Sequence, residues 1–423
     1  MISGPFPVHA LRVGQGRSLF EFLPEVALDA ELGEQPPDLL VLPASKLTSL
    51  DRTFRGAAKL PPRAWAKARQ GLGLVVFDAT AEGAPAQQDL VENLHRFLNS
   101  MGISPARGVY ITQDRQFGAD YRETCARVGA GAAMTVLYDD YWIRAFLAAF
   151  EFAGPATFEA RRAAYLARPR ERTRPFLSLN LTPRPSKLLF LASVLRDGLW
   201  DQGFISLGGF NRHLDKGKAV DGLRSELEGA LQPYVDQLLE IGEVLLGGGV
   251  GSRTASGLPK FTDDAPLPEY ASSWFSVVTE TEMRNRPSRI TEKPFKPLAN
   301  FHPLLILGNP GALAFLRSLG FESYGPMFDE RYDEEPDPRL RFEMVYTQVM
   351  KLCACEESEI ERLERAVAET VMSNAEHLFT RLPHLYRSQR NLELLGRLQA
   401  ISAGDLSENV SGGRPVDGKV CPS

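Results

Sequence analysis

Short apolar runs bounded by Gly, Pro or Asp alternate with helix-period segments along this chain, and the alternation starts twice. In the first half Asp38 to Pro43, Gly73 to Phe77, Gly108 to Thr112 and Met134 to Tyr138 are such runs. Between them lie helical patterns such as Gln87 to Met101, with Leu90, Leu94, Phe97 and Leu98 on one face. That pattern predicts a parallel sheet with helices on both sides. The character changes over Ala163 to Pro175, where Arg168, Pro169, Arg170, Glu171, Arg172 and Arg174 crowd together. The alternation then restarts with a strand at Phe176 to Leu179. A loop containing Arg184 leads through Lys187 into a helix, and a strand follows at Phe204 to Leu207. A chain of 423 residues has room for two domains of ordinary size. We therefore expect an α/β chain of two Rossmann-like domains. The first spans residues 1–167, a linker 168–175, the second domain 176–345, helices 346–400, and a disordered tail 401–423, where Gly, Ser and Pro dominate.

Hydrophobic residues make up 43% of the chain and charged residues 24%, the balance of a soluble globular protein. A net charge of −5 argues against general nucleic-acid binding. The N-terminus, MISGPFPVHALRVGQG, lacks a basic region followed by an apolar one, so no signal peptide is expected. The longest apolar stretch, around Tyr141 to Phe152, contains Arg144 and Glu151 and is too short to span a bilayer. Four cysteines in this length read as cytosolic thiols, and the expected location is cytoplasmic. Cys353-Ala-Cys355 has no second ligand pair, so no metal site and no cofactor are expected.

The chemistry concentrates in Ser276 to Gly311. An apolar run ends on Thr279, Glu280 and Glu282, and a polar loop follows. Thr291-Glu292-Lys293 stands where a helix should begin. A second apolar run, Pro303 to Leu307, ends in Gly308-Asn309-Pro310-Gly311. A carboxylate and an ammonium at a helix mouth suit a ligand bearing hydroxyls and phosphates.

Phe275 with Glu280, Ile290-Thr291-Glu292-Lys293, Pro303 and Gly308-Asn309-Pro310 follow one another in a set order. That order resembles the donor-binding segment of the α1,3-fucosyltransferase family of GT-B glycosyltransferases. Ile290 stands where the family has an aromatic residue, and Thr281 where it has an asparagine. The resemblance covers this stretch alone and implies the fold and the donor class, not fucose. It implies two domains facing across a cleft, with C-terminal helices crossing back to the first. It also implies a nucleotide-sugar donor, with Glu292 on the ribose hydroxyls, Lys293 on the diphosphate and Glu280 on the donor side.

Such a transferase can neutralise its leaving diphosphate with cations in place of a metal. The candidates are Lys293 and Lys296, with Arg184 and Lys187 from the first loop of the second domain. The general base is expected in the first domain, as Glu82 in its Gly-flanked loop after a strand, with Asp78 and Asp114 as rivals. Inversion at the sugar is the leading expectation. A retaining transferase, a non-catalytic nucleotide-sugar-binding protein and a transferase acting on nucleic acid through Arg168 to Arg174 are the alternatives. The acceptor stays open between glycan, protein and nucleic acid. His95, inside a helical pattern, is expected to be structural, and His302 is open between the two roles. The glycines at 247–251 read as a flexible loop. Phe328 to Asp333 reads either as an acidic cap before the following helix or as a functional loop.

Overall fold

The computed structural model describes residues 8–13, 18–44, 47–81, 85–149, 155–167, 172–180, 182–208, 229–244, 246, 268–283 and 289–404. The chain divides into two compact units. The first comprises residues 1–148 and the C-terminal segment from His384. The second holds nearly all of the residues between them.

The first unit is built on a six-stranded parallel sheet of order β2-β1-β3-β4-β5-β6. Its strands are β1 (Val8–Arg12), β2 (Val26–Asp29), β3 (Leu39–Pro43), β4 (Leu74–Ala79), β5 (Gly108–Thr112) and β6 (Thr135–Tyr138). Every residue of β3, β4 and β5 is buried. Both faces of a parallel sheet are covered, which is why these strands read as continuous apolar runs. One face packs Phe77 and Tyr110 against Leu50, Leu90, Leu94 and Phe117 of three helices. The other packs Val41, Val76 and Val109 against Leu394, Leu395, Leu398 and Ile401. Those four lie on the last helix, Asn391–Ala403. The expected return of C-terminal helices to the first domain is thus made by that helix. A buried ionic clasp fixes it. Arg144 donates two hydrogen bonds to Asp139, at 2.6 and 2.8 Å, and a third to Asn391. Arg115 pairs with Asp140, which also accepts from the Tyr386 hydroxyl at 2.9 Å. The strands β1 and β2, VHALR and VALD, carry no clear apolar run and so give no strand signal in the sequence.

The second unit holds a four-stranded parallel sheet of order β10-β9-β7-β8. Its strands are β7 (Arg174–Asn180), β8 (Gly203–Leu207), β9 (Ser273–Thr279) and β10 (Leu304–Leu307). The helix Pro155–Leu166 belongs to this unit. Its Phe158 and Tyr165 pack on Phe301, which takes φ 57°. A bulky residue rarely occupies that left-handed region, and here two aromatic rings hold it.

The division between units therefore falls at residues 148–149, ahead of the arginine-rich span. Arg172 is built into the second unit: it donates to the carbonyls of Tyr270, Ala271 and Ser273 and pairs with Glu364. Arg168, Arg170 and Glu171 lie outside the described residues, as do the glycines at 247–251. Pro233 sits in the first turn of the helix Gln232–Ile241, where its missing N–H costs nothing, so it does not kink that helix. Pro383 ends the regular part of the helix Ala368–His384, and the π-turn Leu385–Arg390 follows at once. The expected tail begins later than residue 401, because the last helix runs to Ala403; residues 405–423 lie outside the described residues.

The acidic motif Phe328 to Asp333 proves to be architectural. Asp333 caps the preceding helix Ala312–Ser318, not the following one, accepting from the backbone N–H groups of Leu313 and Ala314 at 2.9 and 2.8 Å. The Tyr332 hydroxyl accepts from the Ile306 N–H at 3.1 Å, so it closes the free edge of β10. Glu330 accepts from the Tyr324 N–H and pairs with Arg317. The following helix, Pro338–Cys353, is capped by Asp337 instead. Asp333→Ala strands two backbone donors of that first turn, the Leu313 N–H buried, and we expect it to destabilise the second unit by about 1–2 kcal/mol. Urea unfolding followed by tryptophan fluorescence checks this. No described helix is long and apolar enough to cross a membrane.

Candidate functional site in the second unit

Ligands in open α/β sheets bind beyond the carboxyl ends of the strands. In the second sheet Asn180 joins three of those ends. Its amide accepts from the Thr279 hydroxyl at 2.6 Å, its backbone N–H donates to Ser206, and its carbonyl accepts from the Gly208 N–H. The helix Pro185–Arg196 starts just past β7. The Ser186 hydroxyl ties its first turn to the Glu280 carbonyl at the end of β9, at 3.1 Å. Proline occupies the first position of this helix, and no side chain caps it. The N–H groups of Ser186 and Lys187 therefore point from an uncapped helix end, which carries partial positive charge.

Lys187, in that first turn, is only 3% exposed. Among the described residues no hydrogen bond or ion pair holds its ammonium. Burial brings its pKa down to about 7, and the neighbouring Lys293 pushes the same way. Glu292 and Glu280 pull it back up, and Arg184 lowers it further. Four charged groups thus act on this ammonium: Lys293, Glu292, Glu280 and Arg184.

Glu280 is buried. One of its carboxylate oxygens accepts from the Thr291 N–H at 3.1 Å. The other accepts from the Thr291 hydroxyl at 2.7 Å and from Lys293 Nζ at 3.2 Å. Lys293 Nζ also donates to the hydroxyls of Thr291 and Thr281, at 2.8 and 3.2 Å. Glu280 is therefore the anchor of the Thr291–Lys293 turn, with both oxygens engaged. Gly308 makes room for it: a β-carbon there would lie 3.2 Å from Cβ and Cγ of Glu280.

Glu292 is half-buried. Burial raises its carboxyl, but the ammonium groups of Lys293, Lys296 and Lys187 outweigh that and hold it below the ordinary carboxylate range. Lys296 is half-buried, and its backbone N–H donates to the Lys293 carbonyl. Arg184 is exposed at the mouth of the helix Pro185–Arg196.

One expectation fails here. Thr291 does not open a long helix. Residues 291–294 form a turn, and the helix that follows, Phe295–Ala299, has five residues. Prolines at 294 and 297 remove two backbone donors from this short segment. The helix end that can serve an anion is the one at Pro185, and Arg184, Lys187, Glu280, Thr291, Glu292, Lys293 and Lys296 are grouped around it.

Arg341, which sequence reasoning missed, braces this region. It is 2% exposed and donates to the carbonyls of Gly308, Glu335 and Met283. The loops after β9 and β10 are thereby fixed to the helix Pro338–Cys353. The signal in the sequence is a charge within the apolar stripe that continues through Phe342, Val345 and Val349.

The residues expected to supply the base lie in the first unit. Glu82 lies outside the described residues. Asp78 is wholly engaged. It accepts from the Ser18 hydroxyl, the Leu19 N–H, and the N–H and hydroxyl of Thr80, at 2.6–3.2 Å. Burial raises its pKa. This carboxyl fastens the 3₁₀ turn Leu19–Phe22 to β4, and its acceptor sites are used within the fold. Asp114 is buried just past β5 and accepts from the Gln116 N–H at 3.0 Å.

Both histidines singled out are satisfied within the fold. His95 contacts the Tyr121 hydroxyl at 2.7 Å. His302 bridges the Ser276 hydroxyl and the Ser273 carbonyl, at 2.8 and 2.9 Å. Among the described residues no group of His, Cys, Asp and Glu could hold a metal ion.

No protein-family model matches the chain. A search of curated proteins finds no match either. Among solved structures, α,α-trehalose 6-phosphate synthase from Burkholderia multivorans is similar with a TM-score of 0.42 and 12% identity, over 90% of this chain and 74% of that one.

Proposed function

We propose that this protein is a glycosyltransferase that takes its sugar from a nucleotide-sugar donor held in the second unit. The observation that carries this reading is Lys187, a buried ammonium with no hydrogen-bonding partner among the described residues, beside an uncapped helix end. A buried cation left in this state is costly, and an anionic ligand offsets the cost. A diphosphate supplies the charge, the helix N–H groups supply donors, and Lys293 and Arg184 supply further cations. Glu292, ionised beside them, suits the two hydroxyls of a ribose, because a carboxylate accepts from both. Charge developing on the departing diphosphate is neutralised by these cations, without a call on a metal. We assign Thr291 and Glu280 to holding Lys293 in place, and Lys296 to keeping Glu292 ionised.

Transfer also needs a base for the acceptor hydroxyl. Glu82 is the proposed base and Asp114 its rival; Asp78 is set aside because its oxygens are engaged. Direct displacement by the acceptor would invert the sugar.

Two substitutions separate the parts. Lys293→Ala should weaken nucleoside diphosphate binding roughly ten- to hundredfold, the value of one charge-assisted contact, and leave nucleoside binding nearly unchanged. Glu292→Ala should weaken both. The test of the function itself is a thermal-shift screen over uridine, guanosine, adenosine and cytidine diphosphate sugars. Product analysis of the stabilising donor with a panel of acceptors follows. A ligand that binds only the folded state raises the melting temperature. A chain stabilised by none of these donors is not this enzyme.

A further inference from the structure

In the first unit β4, β5 and β6 end side by side, with Ala79 opposite Thr112 and Thr112 opposite Tyr138. The residues just past these ends are polar and buried, and nearly all of their charges are matched internally. Asp78 is satisfied by Ser18, Leu19 and Thr80. Asp139 is held by Arg144, and Asp140 by Arg115 and Tyr386. Gln113 stands out, because both polar atoms of its side chain are unmatched. It is 1% exposed, and among the described residues neither its Nε2 nor its Oε1 has a hydrogen-bond partner. Buried side-chain polar atoms are matched in the large majority of cases, and here both atoms of one amide are unmatched. The Gln113 amide can thus take a hydrogen-bonding partner from outside the chain.

The chemistry of that molecule follows from the surroundings. A charged ligand would compete with carboxylate–guanidinium pairs that are already buried, which is unfavourable. A neutral ligand needs only hydrogen-bonding groups. A primary amide offers an acceptor and a donor side by side, the match for two neighbouring hydroxyls, each of which both donates and accepts. Asp114, the next residue, places a carboxylate beside the amide in the chain. We propose that this strand-end site binds the hydroxyls of an uncharged sugar through the Gln113 amide. The inference rests on the glycosyltransferase reading and names its acceptor class, a neutral glycan in preference to a nucleic acid or an anionic surface.

The test uses the intact chain, titrated by saturation-transfer NMR and calorimetry. The probes are methyl glucoside, methyl galactoside, methyl mannoside, lactose and cellobiose, with uridine and adenosine as neutral rivals that also match an amide. Gln113→Met removes both polar atoms at similar volume, and Gln113→Glu keeps the shape but adds a buried charge. At least one neutral sugar should bind the wild-type protein, and either variant should bind it at least tenfold more weakly. Nucleoside diphosphate affinity should stay unchanged in both, which also certifies their folding. Sugar binding that survives both variants, binding of nucleosides with no sugar bound, or no binding by any probe would overturn the proposal. A Gln113-dependent sugar site in a chain that binds no nucleoside diphosphate would support the site and contradict the transferase reading.

Discussion

Lys187→Met is expected to make the protein more stable and its diphosphate site weaker at the same time. The stability side follows from proton linkage. Below about pH 7 the folded and unfolded chains both keep the lysine proton, and the folded chain bears the whole cost of burying the charge. Between about pH 7 and the ordinary value of 10.5, the folded state binds fewer protons than the unfolded state, so stability rises with pH. Methionine carries no charge and little loss of volume, so it removes both the cost and this slope. The melting temperature should rise by several degrees at pH 6.5 and by much less at pH 9, read by calorimetry at fixed ionic strength. The binding side has the opposite sign. Loss of a charge-assisted contact to a diphosphate costs about 1.5–3 kcal/mol, a ten- to hundredfold loss of affinity. A residue with a merely structural role would not show this opposition, which is the mark of strain kept for function.

The second large effect is expected at Glu82. A general base typically contributes roughly 10²–10⁴-fold in rate. Glu82→Gln should lower kcat by that factor and leave the Kd for the donor close to normal, since the proposed donor cations and Glu292 lie in the other unit. Asp114→Asn is the comparison. If Asp114 is the base, the losses exchange between the two variants. Near-normal turnover in both would remove the single-displacement mechanism and point to retention. Rates from initial-velocity kinetics with saturating donor decide among these.

The positions of the proposed donor-site residues follow from the alternation of strands and helices, which places Asn180, Glu280 and Gly308 at strand ends. Parallel strands buried on both faces announce themselves as apolar runs, and β4, β5 and β9 did so. What remained hidden depends on packing. The exposure of a lysine is not written in its neighbours along the chain, so Lys187 and Arg184 read alike. The structure buries one and leaves the other in water. The same is true of Arg341, whose partners are carbonyls from loops far away in sequence. The helix expected at Thr291 was a misreading of local signals: the Thr-Glu-Lys turn looks like a cap, but the prolines at 294 and 297 hold the helix to five residues. Asp333 shows the converse error. Its nearest helix in sequence is the one that follows, yet it caps the one before, because the chain folds back over its own loop. The carboxylates of the first unit were the least legible part. Asp78 and Asp114 look alike in the sequence as strand-end carboxylates, and the hydrogen bonds that Asp78 accepts from Ser18, Leu19 and Thr80 come from packing.

The most direct test of the central claim, that a donor diphosphate is held by Lys187, is calorimetric titration of nucleoside diphosphates at pH 8 in two buffers of different ionisation enthalpy. With its pKa near 7 the free lysine is mostly neutral at that pH. A bound diphosphate beside it restores the ammonium, so binding should take up about one proton per ligand. The wild-type protein is predicted to show that uptake and Lys187→Met to show none, with affinity at least tenfold lower. Equal affinity in the two proteins, or binding without proton uptake by the wild type, would contradict the account.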